Sequence, residues 1–176
     1  RLVAEAYGLG GRSTTQFTFT TSVPENLTKP YLNVGDNEVV GIGQPIGIQF
    51  DEPVGDRIAA QNAITVATDP PVEGAFYWVN NQEVRWRPKE YWEPGTKVEV
   101  KVDQYGKDLG GGIYGGENTS TDFTIGDRTI ALVDNATKTM KVFKNKKFLR
   151  AIPVSLGRDY QYDTPNGRYI IGDEHP

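Results

Sequence analysis

Residues 74–95 read GAFYWVNNQEVRWRPKEYWEPG and hold all three tryptophans of the chain, Trp78, Trp86 and Trp92. Two aromatic, β-branched runs, residues 75–79 and 82–87, are joined by Asn80-Asn81, a pair that tolerates the positive φ of a tight turn. The stretch therefore predicts a β-hairpin. Side chains alternate along a strand, which puts Val84 and Trp86 on one face and Glu83, Arg85 and Arg87 on the other. The first face is expected in a core and the second in solvent. Pro88 cannot donate to a ladder and closes the second strand, and Trp92-Glu93-Pro94-Gly95 turns the chain towards an alternating run at residues 97–102. Tryptophans in this setting are expected to fill a core rather than to offer a stacking platform to a sugar or nucleotide.

The rest of the composition agrees with an all-β reading. Among 176 residues there are 20 Gly and 11 Pro, with many Thr, Val and Tyr, a mixture that favours short strands and turns. This length suits one ordinary domain, or a small one with pieces of its neighbours. The formal charge of −4 hides a change of sign: after Gly126 nine Lys and Arg face six Asp and Glu, whereas before it ten face seventeen. That shift suggests a boundary near Gly126. Neither part carries the dense basic surface of a nucleic-acid binder, and no apolar run approaches the ~20 residues that span a membrane. With no cysteine, the chain has no disulfide, thiolate metal site or cysteine nucleophile.

Taken in order, residues 2–7, the glycine-rich 8–11 and residues 15–20 read as strand, turn and strand. The pattern returns at residues 98–102 and 119–125, separated by a loop holding Gly110-Gly111-Gly112 and Gly115-Gly116, and is read as an internal repeat. If the later copy closes a complete domain, residues 1–25 close a preceding one, and the chain is expected to begin inside a domain. Between the copies, residues 39–43 and 46–50 read as strands on either side of Gln44-Pro45. Residues 57–63 read as the one convincing helix, and 64–67 as a strand. Residues 26–126 thus supply about seven short strands at spacings that suit a two-sheet sandwich of immunoglobulin-like type. From Asp127 the pattern is a strand meander at residues 129–133, 138–143, 148–157 and 168–172, with turns at Asn145 and Thr164-Pro165-Asn166-Gly167. So small a sheet buries too little to stand alone, and the chain is expected to end inside a domain as well.

No constellation of residues reads as an active centre. His175 is the only histidine and is expected to be a frayed terminal side chain, so neither a Cys-His nor a Ser-His-Asp arrangement can be assembled. Asp51-Glu52 and Asp173-Glu174 are sequence neighbours expected in solvated turns. The glycine clusters lack both the spacing and the following helix of a phosphate cradle. Lys138, Lys141, Lys144, Lys146 and Lys147 are expected on a solvated sheet face, which an anionic wall polymer could also approach. Triplets beginning at Asn26, Asn118 and Asn135 match the glycosylation pattern. No catalytic, cofactor-binding or metal-ligating residue is assigned, and no cofactor is implied.

Two stretches resemble the actinobacterial L,D-transpeptidases, cell-wall cross-linking enzymes with immunoglobulin-like domains ahead of a catalytic domain of the YkuD type. One is residues 69–78, DPPVEGAFYW, with Arg85-Trp86-Arg87-Pro88 and residues 91–98, YWEPGTKV, after it. This looks like the immunoglobulin-like domain that adjoins the catalytic one. The other is residues 152–157, IPVSLG, followed by residues 164–169, TPNGRY, and looks like the start of the catalytic domain. The resemblance implies three parts: a closing hairpin at 1–25, a complete immunoglobulin-like domain at 26–126, and the N-terminal part of the catalytic domain at 127–176. It also implies an extracytoplasmic, membrane-anchored parent acting on peptidoglycan stem peptides. The family's chemistry is acyl transfer through a cysteine thiolate in a Ser-His-Gly-Cys motif. That motif is not in these residues, and no catalytic role carries over to any of them. A surface glycan-binding or adhesion module, with Tyr77 and Tyr91 as contact aromatics, is the alternative from another class.

Overall fold

A computed structural model describes residues 2–8, 10–20, 24, 26–157, 162 and 164–170. Among the described residues there are fifteen strands and one short helix. The first two strands, β1 (Leu2–Gly8) and β2 (Gly11–Phe17), form an antiparallel hairpin in which Gly8 faces Gly11. β2 begins earlier than residues 15–20 suggested, because Gly11 adopts φ +112° and brings the chain straight back into register.

The sandwich is built from β3 (Asn26–Thr28), β4 (Pro30–Leu32), β5 (Glu38–Val40), β6 (Ile46–Phe50), α1 (Arg57–Asn62), β7 (Ile64–Asp69), β8 (Gly74–Trp78), β9 (Glu83–Pro88), β10 (Lys97–Val102), β11 (Ile113–Gly115) and β12 (Thr119–Ile125). One sheet runs β5-β12-β10-β7 and the other β4-β6-β9-β8, with β3 and β11 pairing in parallel beside them. The repeated strands of the sequence, β10 and β12, are neighbours in the first sheet. Between the sheets lie Ile46, Ile48, Phe50, Val84, Trp86, Val98, Val100, Val102, Phe123 and Ile125, all buried. The alternation Lys97–Val102 shows how sequence makes this core: every second residue is buried and the rest are exposed. Phe50 stacks on Trp78 at 6.1 Å between centroids, and Trp86 meets Trp92 at 5.4 Å. Trp92, outside any strand, is 1% exposed, and its indole N–H donates to Gln44 O at 2.7 Å. Trp86 and Trp92 fill a core, as their setting in the sequence implies, and Trp78 packs against it half-buried.

The turns differ in one instructive place. Asn80 and Asn81 do not take the positive φ expected of them; the loop is wider, and Asn80 Oδ1 accepts from the N–H groups of Gln82 at 2.7 Å and Glu83 at 2.8 Å. A side chain that supplies the turn's hydrogen bonds removes the need for a left-handed backbone. The strand expected over residues 39–43 stops at Val40, where a turn takes over. The helix appears as read, capped by Asp56, whose carboxylate accepts from Ile58 N and Ala59 N. Gly110, Gly111 and Gly112 all have positive φ, and a side chain on Gly110 would come within 2.6 Å of Asp56 N. These are turn glycines that let the loop close against the helix start.

After Gly126 a separate antiparallel sheet follows in the order β13-β14-β15: β13 (Thr129–Asp134), β14 (Thr139–Lys144) and β15 (Lys147–Pro153). Asn145 and Lys146, at φ 49° and 68°, form the two-residue turn between the last two. The fourth strand expected at 168–172 is not formed at residues 168–170. There the Tyr169 hydroxyl donates back to Pro165 O at 2.6 Å, curling the segment onto its own bend at Asn166-Gly167. The readings of Asp173-Glu174 and His175 lie outside the described residues.

Candidate functional site

The place where the molecule brings distant residues together is the seam between the sandwich and the three-stranded sheet. Trp92 anchors one side: its backbone N–H donates to Ile42 O at 3.0 Å, tying the 89–96 connection to the 41–45 loop. Tyr91, next to it, points its ring outwards and is 43% exposed. Over that ring lie the guanidinium carbons of Arg128, 5.9 Å from the centroid, and of Arg168, 5.8 Å away. Each such contact contributes about 0.5–1 kcal/mol at an exposed site. Close by, Ile170 reaches within 3.5 Å of where a side chain on Gly43 would begin, and Ile130 packs against the sandwich core. The connection itself is fastened, since Gly126 N donates to Val40 O at 2.8 Å.

Asn145 fixes the far side of the seam. It accepts from Arg128 N at 3.0 Å, donates its own N–H to Arg128 O at 2.8 Å, and donates its amide to Asp127 Oδ1 at 2.8 Å. Lys144 Nζ sits 2.8 Å from the same carboxylate. Hydrogen bonds from Asn145 and then Lys144 hold the Asp127 carboxyl below the usual carboxylate range. Arg128 is thereby locked to the turn between β14 and β15.

A second surface is the outer face of the β4-β6-β9-β8 sheet. Arg85 Nε donates to Glu83 Oε1 at 2.5 Å, and this bond, with a further one to Tyr77, raises the Arg85 pKa above its ordinary value. Arg87 lies 5.9 Å from the centre of the Tyr77 ring, which is 40% exposed. A shallow cleft of about 280 Å³ opens here among Tyr31, Asn33, Gln49, Glu83 and Arg85, over Gly47. On the other side of β4 a cleft of about 320 Å³ is lined by Tyr31, Val34, Asp36, Glu117, Ser120 and Thr121. Beside it, the Asp36 carboxyl pushes the Asp122 carboxyl up through a shared hydrogen bond and like charge.

Chemically these surfaces can bind and hold. Among the described residues there is no histidine to activate a hydroxyl and no group of three metal-ligating side chains. Asp51, one of the paired carboxylates, serves structure: burial raises its pKa, but hydrogen bonds from Lys29 N and the Thr28 hydroxyl outweigh this and leave it below the ordinary value. Lys141, Lys144, Lys146 and Lys147 are exposed, as a solvated face requires, while Lys138 is half-buried. The sequence pointed to Tyr77 and Tyr91 as contact aromatics, and both reach solvent. It missed Arg128, Arg168 and Ile170 as partners of the sandwich, since no local pattern announces a contact between residues so far apart.

A family model described as "Bacterial Ig domain" matches residues 1–108, more than half of the chain. The chain belongs to the bacterial Ig domain family. Curated relatives of this Ig-domain protein carry the name that its two sequence stretches suggested. It is 53% identical over 174 residues to L,D-transpeptidase 2 of Mycobacterium tuberculosis (strain CDC 1551 / Oshkosh), a match over 99% of this chain and 42% of that protein. It is 34% identical over 163 residues to L,D-transpeptidase 5 of Mycobacterium tuberculosis (strain ATCC 25618 / H37Rv), covering 89% of this chain and 36% of the relative. The solved structure of an LD transpeptidase in complex with imipenem superposes with a TM-score of 0.63 at 31% identity, covering 78% of this chain and 56% of that one. The Ig-domain protein thus spans less than half the length of both curated relatives. Its close homologues are mycobacterial L,D-transpeptidases. No helix among the described residues is long and apolar enough to cross a membrane.

Proposed function

We propose that this chain is the mount of a peptidoglycan L,D-transpeptidase. Residues 26–126 form the immunoglobulin-like spacer, 1–25 the closing hairpin of a preceding one, and 127–176 the first part of the catalytic domain. The observation that carries the reading is the 53% identity to L,D-transpeptidase 2, which runs over 174 residues and so covers sandwich and meander alike. Exposure of Leu132, Val133, Phe148 and Leu149 on the β13-β14-β15 sheet supports it, because apolar side chains of a catalytic core await a second layer there. The activity in which this mount takes part is formation of 3-3 cross-links between stem peptides in an extracytoplasmic wall, by a protein anchored upstream. The chain itself, having no cysteine, is the non-catalytic part.

The reading is tested by joining the chain to a downstream region that carries Ser-His-Gly-Cys and incubating both forms with disaccharide-tetrapeptides. The extended protein is expected to yield cross-linked dimers by mass spectrometry and the chain alone none. Dimers from the chain alone, or none from the extended protein, overturn it. A second reading, a glycan-binding module, is favoured only by the exposed Tyr77 with Arg87 beside it. Tryptophan emission that shifts on adding muropeptides supports that alternative, and indifference removes it.

A further inference from the structure

We infer that Tyr91 is the pin of a rigid joint, the residue that fixes how the three-stranded sheet is set on the sandwich. Its backbone has little freedom, because the adjacent Trp92 is buried and bonded through both its main chain and its indole to the 41–45 loop. Its ring is therefore a fixed feature of the sandwich surface. Two cations come to it from separate parts of the following segment: Arg128, two residues past Gly126, and Arg168, beyond the Thr164–Gly167 bend. Arg128 moves with the sheet, since Asn145 in the β14–β15 turn holds both its N–H and its carbonyl. Arg168 moves with the bend, which is tied to Leu156 O by Thr164 N at 3.0 Å. One aromatic ring thus engages the segment that follows the sandwich at two places forty residues apart in sequence.

Apolar contacts set the same orientation without any charge. Ile130 reaches the core cluster from β13, and Ile170 meets Gly43 in the very loop that anchors Trp92. A short linker alone would leave the sheet free to swing about residues 126–128. Contacts at Tyr91, Gly43 and the core lie off that axis and stop the swing. Guanidinium groups are suited to the task because they stay charged at all working pH values and stack flat on an aromatic face. The phenol hydroxyl of Tyr91 has no part in this, so phenylalanine can replace it.

The absence of native cysteines permits a clean test: Lys97→Cys on β10 and Lys147→Cys on β15, both at exposed positions, take spin labels for distance measurement. The parent and Tyr91→Phe are expected to give one narrow distance distribution. In Tyr91→Ala, loss of two contacts is expected to raise the population outside the main peak roughly five- to thirtyfold. Arg168→Gln, which leaves the sandwich untouched, is expected to raise it about two- to fivefold. Unfolding of the sandwich, followed by tryptophan emission, is expected to keep its midpoint in both variants. A distribution that stays narrow in Tyr91→Ala, or one that broadens equally in Tyr91→Phe, overturns the inference. The measurement needs no catalysis, so its failure leaves the mount reading standing, and failure of the transfer assay leaves the joint standing.

Discussion

The sandwich and the meander after it use the same local code and reach opposite results. In β10 alternate residues are fully buried, whereas β13 and β15, at least as rich in apolar residues, leave nearly all their side chains in water. The difference is a second layer. Two sheets facing each other turn alternation into a core, while a sheet with no second sheet across its face gains little beyond the edge-to-face contact of Phe143 with Phe148, at 5.7 Å, and the packing of Ile130 on the sandwich. Alternation states which side chains share a face; it does not state what lies opposite.

Substitutions should therefore cost much in the first region and little in the second. Trp92→Ala removes a fully buried indole and its bond to Gln44, and is expected to lower sandwich stability by about 3–5 kcal/mol in urea unfolding. Gly115→Ala places a methyl group 1.9 Å from Gln104 O, and a backbone shift of that kind is expected to cost about 1–3 kcal/mol in the same assay. Asp56→Ala removes the helix cap and should cost about 1 kcal/mol. At the other extreme, Leu132→Ser on the meander is expected to change sandwich stability by less than about 0.5 kcal/mol, because that side chain is already 57% exposed. A large effect there would mean that the meander is part of the sandwich's folding unit.

The pH dependence sharpens the same contrast through Asp51, whose carboxyl is held below its ordinary value in the folded sandwich. A depressed pKa adds stability that is complete above the unfolded-chain value, about 3.9, and is lost as pH falls through the folded value. The parent is thus expected to exceed Asp51→Asn in stability near neutrality, with the gap closing as pH drops below about 4. A gap that stays constant with pH would show that the Asp51 carboxyl is not held below its ordinary value in the folded sandwich.

Much of the sandwich was legible because its signals are local. Val84 and Trp86 announce their face by period two, Pro94-Gly95 its turn, with Gly95 at φ +87°, and residues 57–63 their helix. What escaped the sequence is chemistry with more than one solution. Asn80 can serve a turn through its backbone or its side chain, and it uses the side chain. Arg168-Tyr169-Ile170 has the composition of a strand, yet Tyr169 bonds back to Pro165 and the flanking residues reach across to Tyr91 and Gly43. The seam was invisible for the same reason, as its partners meet only after both regions have folded.

The position of β12 limits how this protein can be trimmed. It lies between β5 and β10 and brings Phe123 and Ile125 into the interior. A version shortened to residue 108, where the family match stops, would expose one flank of β10, strip β5 of its neighbour and leave a hole where a phenylalanine and an isoleucine should be. The smallest autonomous piece must therefore extend through Ile125, some way past the limit that family similarity alone would draw.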